Sequence, residues 1–418
     1  VPVEAVAAVE PASAGLSLRS AWRMVLVLCT AFALSQAYRT VGAIMAAPLQ
    51  SEFGLSAQAL GVFSGSFHFA FGAMQLFMGI GIDLHGVRRT VLTAFPLAIV
   101  GAGVSAAATN FPMLVAGQVL IGVGCAPAFL VCTVFIARHF PAARFASVSG
   151  LVLGLGGLGM LLTGTPLAWL VQAHSWRMGF VVLGVASAAA WLAIAASVRE
   201  PARAATGPRE SIPAALRQFG ALVVMPQTLG IMALASVTYA AFISLRGLWL
   251  GPLLIARHHY SLVQSGNVAL VVSVVALFGP PLFGRLDRDG PARRRRIVGC
   301  SLVYAALFVV IAFLGQPWID IGGTIVIGLL SGFIVWQYAD VRVSYPAAIT
   351  GRAMAVFTMA MFLGVAVMQW VTGLAASVGA AHGFEPFAVV LATIAALLVL
   401  ATLAFVRLPA PAQDRKVG

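Results

Sequence analysis

Long apolar runs separated by short polar stretches fill most of the chain. Twelve runs stand out, at 22–48, 57–80, 90–108, 111–137, 145–171, 177–198, 221–250, 262–284, 297–315, 321–344, 351–378 and 384–407. Each is long enough, at about 1.5 Å per residue, to cross a hydrocarbon layer roughly 30 Å thick. In lipid every backbone N–H and C=O must find a partner within the protein, and runs of this length do so as helices. The pattern therefore predicts an all-α polytopic membrane protein with twelve transmembrane helices.

Composition agrees with the pattern. The chain has 418 residues, 61% hydrophobic and 9% charged, with a mean hydropathy of +1.00. A soluble domain carries about 25% charged residues. The net charge of +13 does not point to nucleic acid, because the arginines are confined to short segments between the apolar runs. That distribution orients helices in a membrane. With the N-terminus inside, 21 of the 25 Lys and Arg residues fall on the cytoplasmic side. Arg177 and Arg257 fall outside, and Arg39 and Arg246 lie within helices. Both termini are expected in the cytoplasm, with the chain multi-pass in a cell inner (plasma) membrane. The four cysteines, Cys29, Cys125, Cys132 and Cys300, read as packing residues with no metal-type spacing.

The runs divide into two sets of six. Residues 1–20 carry no cleavable signal pattern and read as a cytoplasmic tail. A six-helix bundle follows at 21–198, then a polar linker at 199–219 ("EPARAATGPRESIPAALRQ" after Val198 and Arg199), a second bundle at 220–407 and a short tail at 408–418. The halves echo each other. "DLHGVRR" from Asp83 matches "DRDGPARRRR" from Asp287, 204 positions on; Pro141 matches Pro346 at 205, and Ala173 matches Ala381 at 208. A near-constant offset marks an internal duplication, giving two pseudo-symmetric six-helix halves. Parallel repeats of this kind place a binding site between the halves near the bilayer midplane.

"GIGIDLHGVRRT", between the second and third runs, carries the most specific signal. Gly79, Asp83, Gly86, Arg88 and Arg89 fit the loop pattern of the major facilitator superfamily, which the chain resembles over essentially its whole length. Leu84 departs from that pattern, where a basic residue is usual. The second half supplies Asp287, Arg288 and Gly290. The resemblance implies a twelve-helix transporter with two rocking halves, and assigns these eight residues to a gating motif. Asp83 can hold arginines or a helix start, and Gly86 permits a sharp turn. Gln118 stands where drug–proton antiporters of the superfamily usually have Arg. The glycine-rich run from Gly150 lacks their Gly-Pro pair.

Arg39 is the conspicuous residue. It lies 16 positions beyond Arg23, about 24 Å along a helix. Facing lipid there costs between about 3 and 17 kcal/mol, so a water-filled cavity or a partner is expected. Of the twelve acidic residues, only Asp340 is expected well within a helix, near its inner end, with Arg342 or Arg138 as its expected partner. Arg246 lies 207 positions after Arg39, within the repeat offset. Two guanidinium groups without resident carboxylates suit an anion. This arrangement resembles the organic-anion branches of the superfamily. One branch has arginines on helices 1 and 7; another has Tyr-x-Asp-Arg on helix 1, matched in part by Tyr38–Arg39. Outward snorkelling of Arg246 past Trp249 is the competing reading.

Tyr38, Tyr239, Gln118, Asn267, Trp336, Gln337 and Gln369 complete the expected substrate-binding set with Arg39 and Arg246. His68 and Asp340 are the proton-coupling candidates. Trp249 and Trp318 read as interfacial belt residues, and His258 and His259 as solvated loop residues. No nucleotide-binding loop or catalytic constellation appears, and the single lysine is Lys416; no enzyme activity, cofactor or metal is expected. The expected partners are a small-molecule substrate and membrane lipid, with no nucleic acid, and a monomer suffices. The expected function is proton-coupled secondary transport of a small organic anion, a carboxylate, by alternating access. With so few titratable candidates, uniport and anion exchange stay open. The alternative is an efflux pump for hydrophobic or cationic compounds.

Overall fold

A computed structural model describes residues 17–199, 212–287, 291–345 and 347–409. Among these residues it contains helices and turns only. Twelve helices are long and apolar enough to cross a membrane. In chain order, α1 to α12 are Leu18–Thr40, Ala57–Ile82, Leu84–Ala106, Phe111–His139, Ser147–Ala173, Trp176–Ser197, Pro226–His258, Leu262–Arg285, Ala292–Leu314, Pro317–Ser344, Ile349–Ala381 and Pro386–Arg407. The protein is a multi-pass membrane protein, and its exterior is apolar to match. Trp169, Val185, Phe278, Phe313 and Leu400 are all exposed.

Local chemistry explains where the helices start. Ser17, Ser56, Asn110, Ser175 and Ser261 each accept a hydrogen bond from a first-turn backbone N–H. These caps satisfy donors that otherwise lack a partner. Pro226, Pro317 and Pro386 open their helices, where a missing N–H costs nothing. Gly86 takes φ +84° near the start of α3, the turn expected of it. Residues 200–211 lie outside the described set, but Ile212–Val223 is already helical, and α7 begins at Pro226.

Several membrane helices are interrupted, and the interruptions position the site. Helix α1 ends at Thr40, and the chain continues as a second helix, Gly42–Phe53. Helix α5 breaks at Thr163–Gly164. Helix α7 opens into a π-turn over Leu245–Trp249, and α10 tightens into a 3₁₀ turn over Ser331–Phe333. Such departures free backbone groups for other partners.

Each half has its own apolar core. One cluster gathers α1–α6 with Phe362 as a visitor; the other gathers α7–α12 with Ala46, Leu60 and Met160. Between the halves, α2 lies along α11, α5 against α8, and the Gly42–Phe53 helix against the end of α7. At the face away from the termini this seam closes to backbone contact. Any Cβ on Gly251 would fall on the Ala43 carbonyl, and any Cβ on Gly61 on the Gln369 carbonyl. Toward the termini, Gly79 of α2 and Gly351 of α11 meet nothing across the seam.

Candidate functional site

Arg39 sits in the last turn of α1, where the helix dipole favours a cation. It is 5% exposed. Nη1 donates to the Tyr239 hydroxyl of α7 at 3.3 Å. Its Cζ lies 4.5 Å from the Phe71 ring centroid and 4.6 Å from that of Phe362. Those centroids are 4.4 Å apart. The three centres form a nearly equilateral triangle, so both rings stand on the same side of the guanidinium. Cation–π attraction of about 1 kcal/mol per ring steadies the charge. Nε and Nη2 remain buried without a hydrogen-bond partner. These two N–H groups share one edge of the guanidinium plane, the edge that grips a carboxylate in bidentate fashion. Among the described residues no carboxylate pairs with Arg39.

His68 and Gln369 meet in the seam between α2 and α11. His68 Nδ1 is 3.1 Å from the Ser64 carbonyl, and its Nε2 has no partner. Both amide atoms of Gln369 are likewise without hydrogen-bond partners in good geometry. This pair lies toward the closed face from the Phe71–Phe362 contact, by about one turn of α2 and two of α11.

Arg246 is fully buried and does not snorkel outward past Trp249. Nε donates to the Ala269 carbonyl at 3.0 Å and Ser273 Oγ at 2.8 Å. Nη2 donates across the seam to the Met160 carbonyl at 3.0 Å. The break in α5 frees that carbonyl, because the Gly164 N–H bonds Leu161 instead. Only Nη1 of Arg246 is left without a partner. The repeat-related arginines therefore have different surroundings. Arg39 keeps its carboxylate-gripping edge free, and Arg246 commits the same edge to backbone.

The other expected residues scatter. Tyr38 turns into the first half, with its hydroxyl 3.1 Å from Ser187 Oγ. Gln118 is buried in α4 with its Nε2 unpartnered. Asn267 is exposed near the closed face and accepts from Thr165 at 2.6 Å, joining α8 to α5. Trp336 donates to the Phe283 carbonyl at 2.7 Å inside the second half. Gln337 bonds Thr238 at 2.9 Å. It lines a small cavity within that half with Asp340, Ile231, Leu234, Ile297, Phe357 and Phe405. Asp340 pairs with Arg294 at 3.1 Å, correcting the expected pairing with Arg342 or Arg138.

In the gating motif, Arg88 donates to the Ala195 carbonyl at 3.0 Å and Arg89 is exposed. Asp287 holds Arg293 through two bonds of 2.8 Å. The Asp83 side chain and residues Arg288 and Gly290 lie outside the described set. Two further readings are corrected. Trp249 is buried and donates to Thr372 Oγ1 at 3.0 Å, so it is no belt residue, whereas Trp318 is exposed. His258 is not solvated but bonds Asp320 at 2.8 Å. Asp320, a fully buried carboxylate in α10, also takes Arg257 at 3.0 Å. The sequence reading missed it, since its predicted span began one residue later. Phe71 and Phe362 were missed as well.

A family model described as Major Facilitator Superfamily matches residues 27–369. The chain belongs to this superfamily of membrane transporters. It is 23% identical over 337 residues to the "Hexuronate transporter" of Bacillus subtilis (strain 168), covering 75% of this chain and 78% of that one. It is 26% identical over 195 residues to the "Probable galactarate/D-glucarate transporter GudP" of the same organism, covering 44% and 42%. Among solved structures, nucleoside transporter NupG superposes with a TM-score of 0.73 at 16% identity, covering 93% of this chain and 98% of that one. The likeness to NupG bears on the fold of this transporter alone.

Proposed function

We propose that this transporter moves a small organic anion, a carboxylate, across a bacterial inner membrane by alternating access around Arg39. The observation that carries the reading is the unpartnered Nε–Nη2 edge of Arg39, buried where the two halves meet. A buried donor left unbonded costs about 1–3 kcal/mol. A carboxylate seated on that edge would satisfy both donors and neutralise the charge. The two relatives named for sugar acids support the same ligand class. Efflux of a cationic compound has no support here, since no described carboxylate faces the site. Arg246 adds positive charge to the seam, but its own fork is engaged.

The arginine distribution supports cytoplasmic termini, and on that reading the closed face is the outer one. The proton-coupling roles of His68 and Asp340 have weaker footing. Asp340 is paired with Arg294 inside the second half, and His68 lies in the α2–α11 seam. The test is a thermal-shift screen of purified protein with D-glucuronate, D-glucarate and phosphate. Ligand binding to the native state raises the melting temperature by mass action. A sugar acid should raise it for wild type and leave Arg39→Gln unmoved. An equal shift in both proteins would remove Arg39 from the site.

A further inference from the structure

The same site has a consequence for how the carrier cycles, and this inference rests on the anion reading. The guanidinium of Arg39 brings a buried positive charge to the seam between the halves. Nothing within the spans can cancel it. Of the chain's carboxylates only Asp320 and Asp340 lie inside the twelve helices, and each already has its own cation. Arg246 adds a second buried cation to the same seam. To change sides, the two halves must pass through an arrangement closed at both ends, in which water leaves Arg39. Without cargo, that step buries an unpaired cation, steadied only by two phenylalanine rings and one tyrosine hydroxyl. With a carboxylate on the open fork, it buries a neutral pair. Leaving one partner of a buried ion pair uncompensated is strongly unfavourable, so the empty carrier faces the higher barrier.

We infer that this protein works as an anion exchanger: loaded carriers cross readily in both directions, and the empty carrier returns slowly. A proton symporter would need an acid beside Arg39 that gives up its proton before the return stroke and leaves a negative charge there, and the two carboxylates within the spans are paired elsewhere. In an exchanger, one anion supplies the countercharge on each stroke.

The experiment uses the full-length protein in sealed vesicles, with radiolabelled D-glucuronate and D-glucarate outside. Uptake is compared between vesicles holding the same unlabelled anion and vesicles holding buffer alone. The expected result is uptake at least tenfold faster into anion-loaded vesicles. Like-for-like exchange should also be unaffected by a potassium diffusion potential imposed with valinomycin. Equal rates with and without internal anion would overturn exchange and leave the anion site standing. No uptake in either case, together with no thermal shift by either acid, would overturn the anion reading and this inference with it. A second variant probes the cause. Ser35 is buried one helical turn before Arg39 on the same face. Ser35→Asp supplies a resident countercharge, and uptake into buffer-filled vesicles should rise toward the exchange rate. An unchanged ratio in a folded Ser35→Asp protein that still transports would count against the charge argument.

Discussion

At the scale of single residues, geometry and charge make separable contributions to Arg39. Lysine at that position keeps the positive charge but presents a point donor in place of a planar fork. A bond lost beside a charged group is worth about 1.5–3 kcal/mol, a factor of about 10 to 150. Arg39→Lys should therefore weaken sugar-acid binding by one to two orders of magnitude while leaving the salt dependence of binding in place; isothermal titration at two ionic strengths checks both. An affinity within twofold of wild type would mean that charge alone recruits the ligand. Arg39 was legible in the sequence because its cost in lipid demands an explanation. Its ring partners were not. Phe71 and Phe362 are two apolar residues in apolar helices, 291 positions apart. Their meeting depends on how α2 and α11 rotate against each other. Tyr38 shows the converse. Adjacency in sequence turns neighbouring side chains about 100° apart on a helix, and here it sends Tyr38 to Ser187 and away from the arginine.

At the scale of elements, the duplication appears as a charge-swapped pair of clamps. Glu52, just beyond α1, holds Arg177 of α6, which also donates to the Ala108 carbonyl. In the second half Arg257 of α7 holds Glu385, at the start of α12, and donates to the Ile311 carbonyl. Corresponding positions are 205, 208 and 203 apart, the spacing of the repeat. The acid and base have changed places while the helices they join remain the same. The two clamps differ in burial, and burial decides their worth. Glu52 and Arg177 are both more than a third exposed, so screening limits that pair to about 0–1 kcal/mol. Arg257 also holds the fully buried Asp320; without it that carboxylate keeps only His258, a heavier loss than that of an exposed pair. Arg257→Ala should lower the melting temperature far more than Arg177→Ala; equal effects would place Asp320 in contact with water. Hydrogen bonds from Arg177 and then Trp176 hold the Glu52 carboxyl below the usual carboxylate range. Its contribution is therefore complete above the ordinary carboxylate pKa and is lost as pH falls through the lowered one. The stability difference between wild type and Glu52→Gln should accordingly shrink on acidification, as a thermal melt series from pH 7 to pH 3 would show. The two histidines ending α7 read as solvent-facing in the sequence because polar residues at a helix end usually are. The buried acid that recruits His258 comes from α10, and no local pattern announces it.

At the scale of the whole molecule, the twelve spans and the twofold repeat were legible because hydropathy and charge act along the chain, one segment at a time. The breaks in α5 and α7 were not, since a glycine-rich run reads equally well as close helix packing. Their purpose emerges only across the seam, where Arg246 of one half bonds the carbonyl freed in the other. The face away from the termini closes at such points, and Gly251 is the tightest of them. A Cβ there would lie 1.9 Å from the Ala43 carbonyl oxygen, a separation no relaxation of a side chain can relieve. The backbone of one half must retreat from the other. The proposed alternating access includes an arrangement in which those surfaces are apart, and on that proposal Gly251→Val should favour the state open at this face. The Gln58 backbone N–H and Ser377 Oγ, 3.0 Å apart across the same face, provide a reporter. Cysteines at 58 and 377 should cross-link rapidly under mild oxidation in an otherwise native protein and slowly when Gly251→Val is added. The variant should still fold, because each half keeps its own core and the substitution touches only the surface between them. Rapid cross-linking in both proteins would show that the seam closes despite the added side chain, and that its glycine contacts are incidental to which face is open.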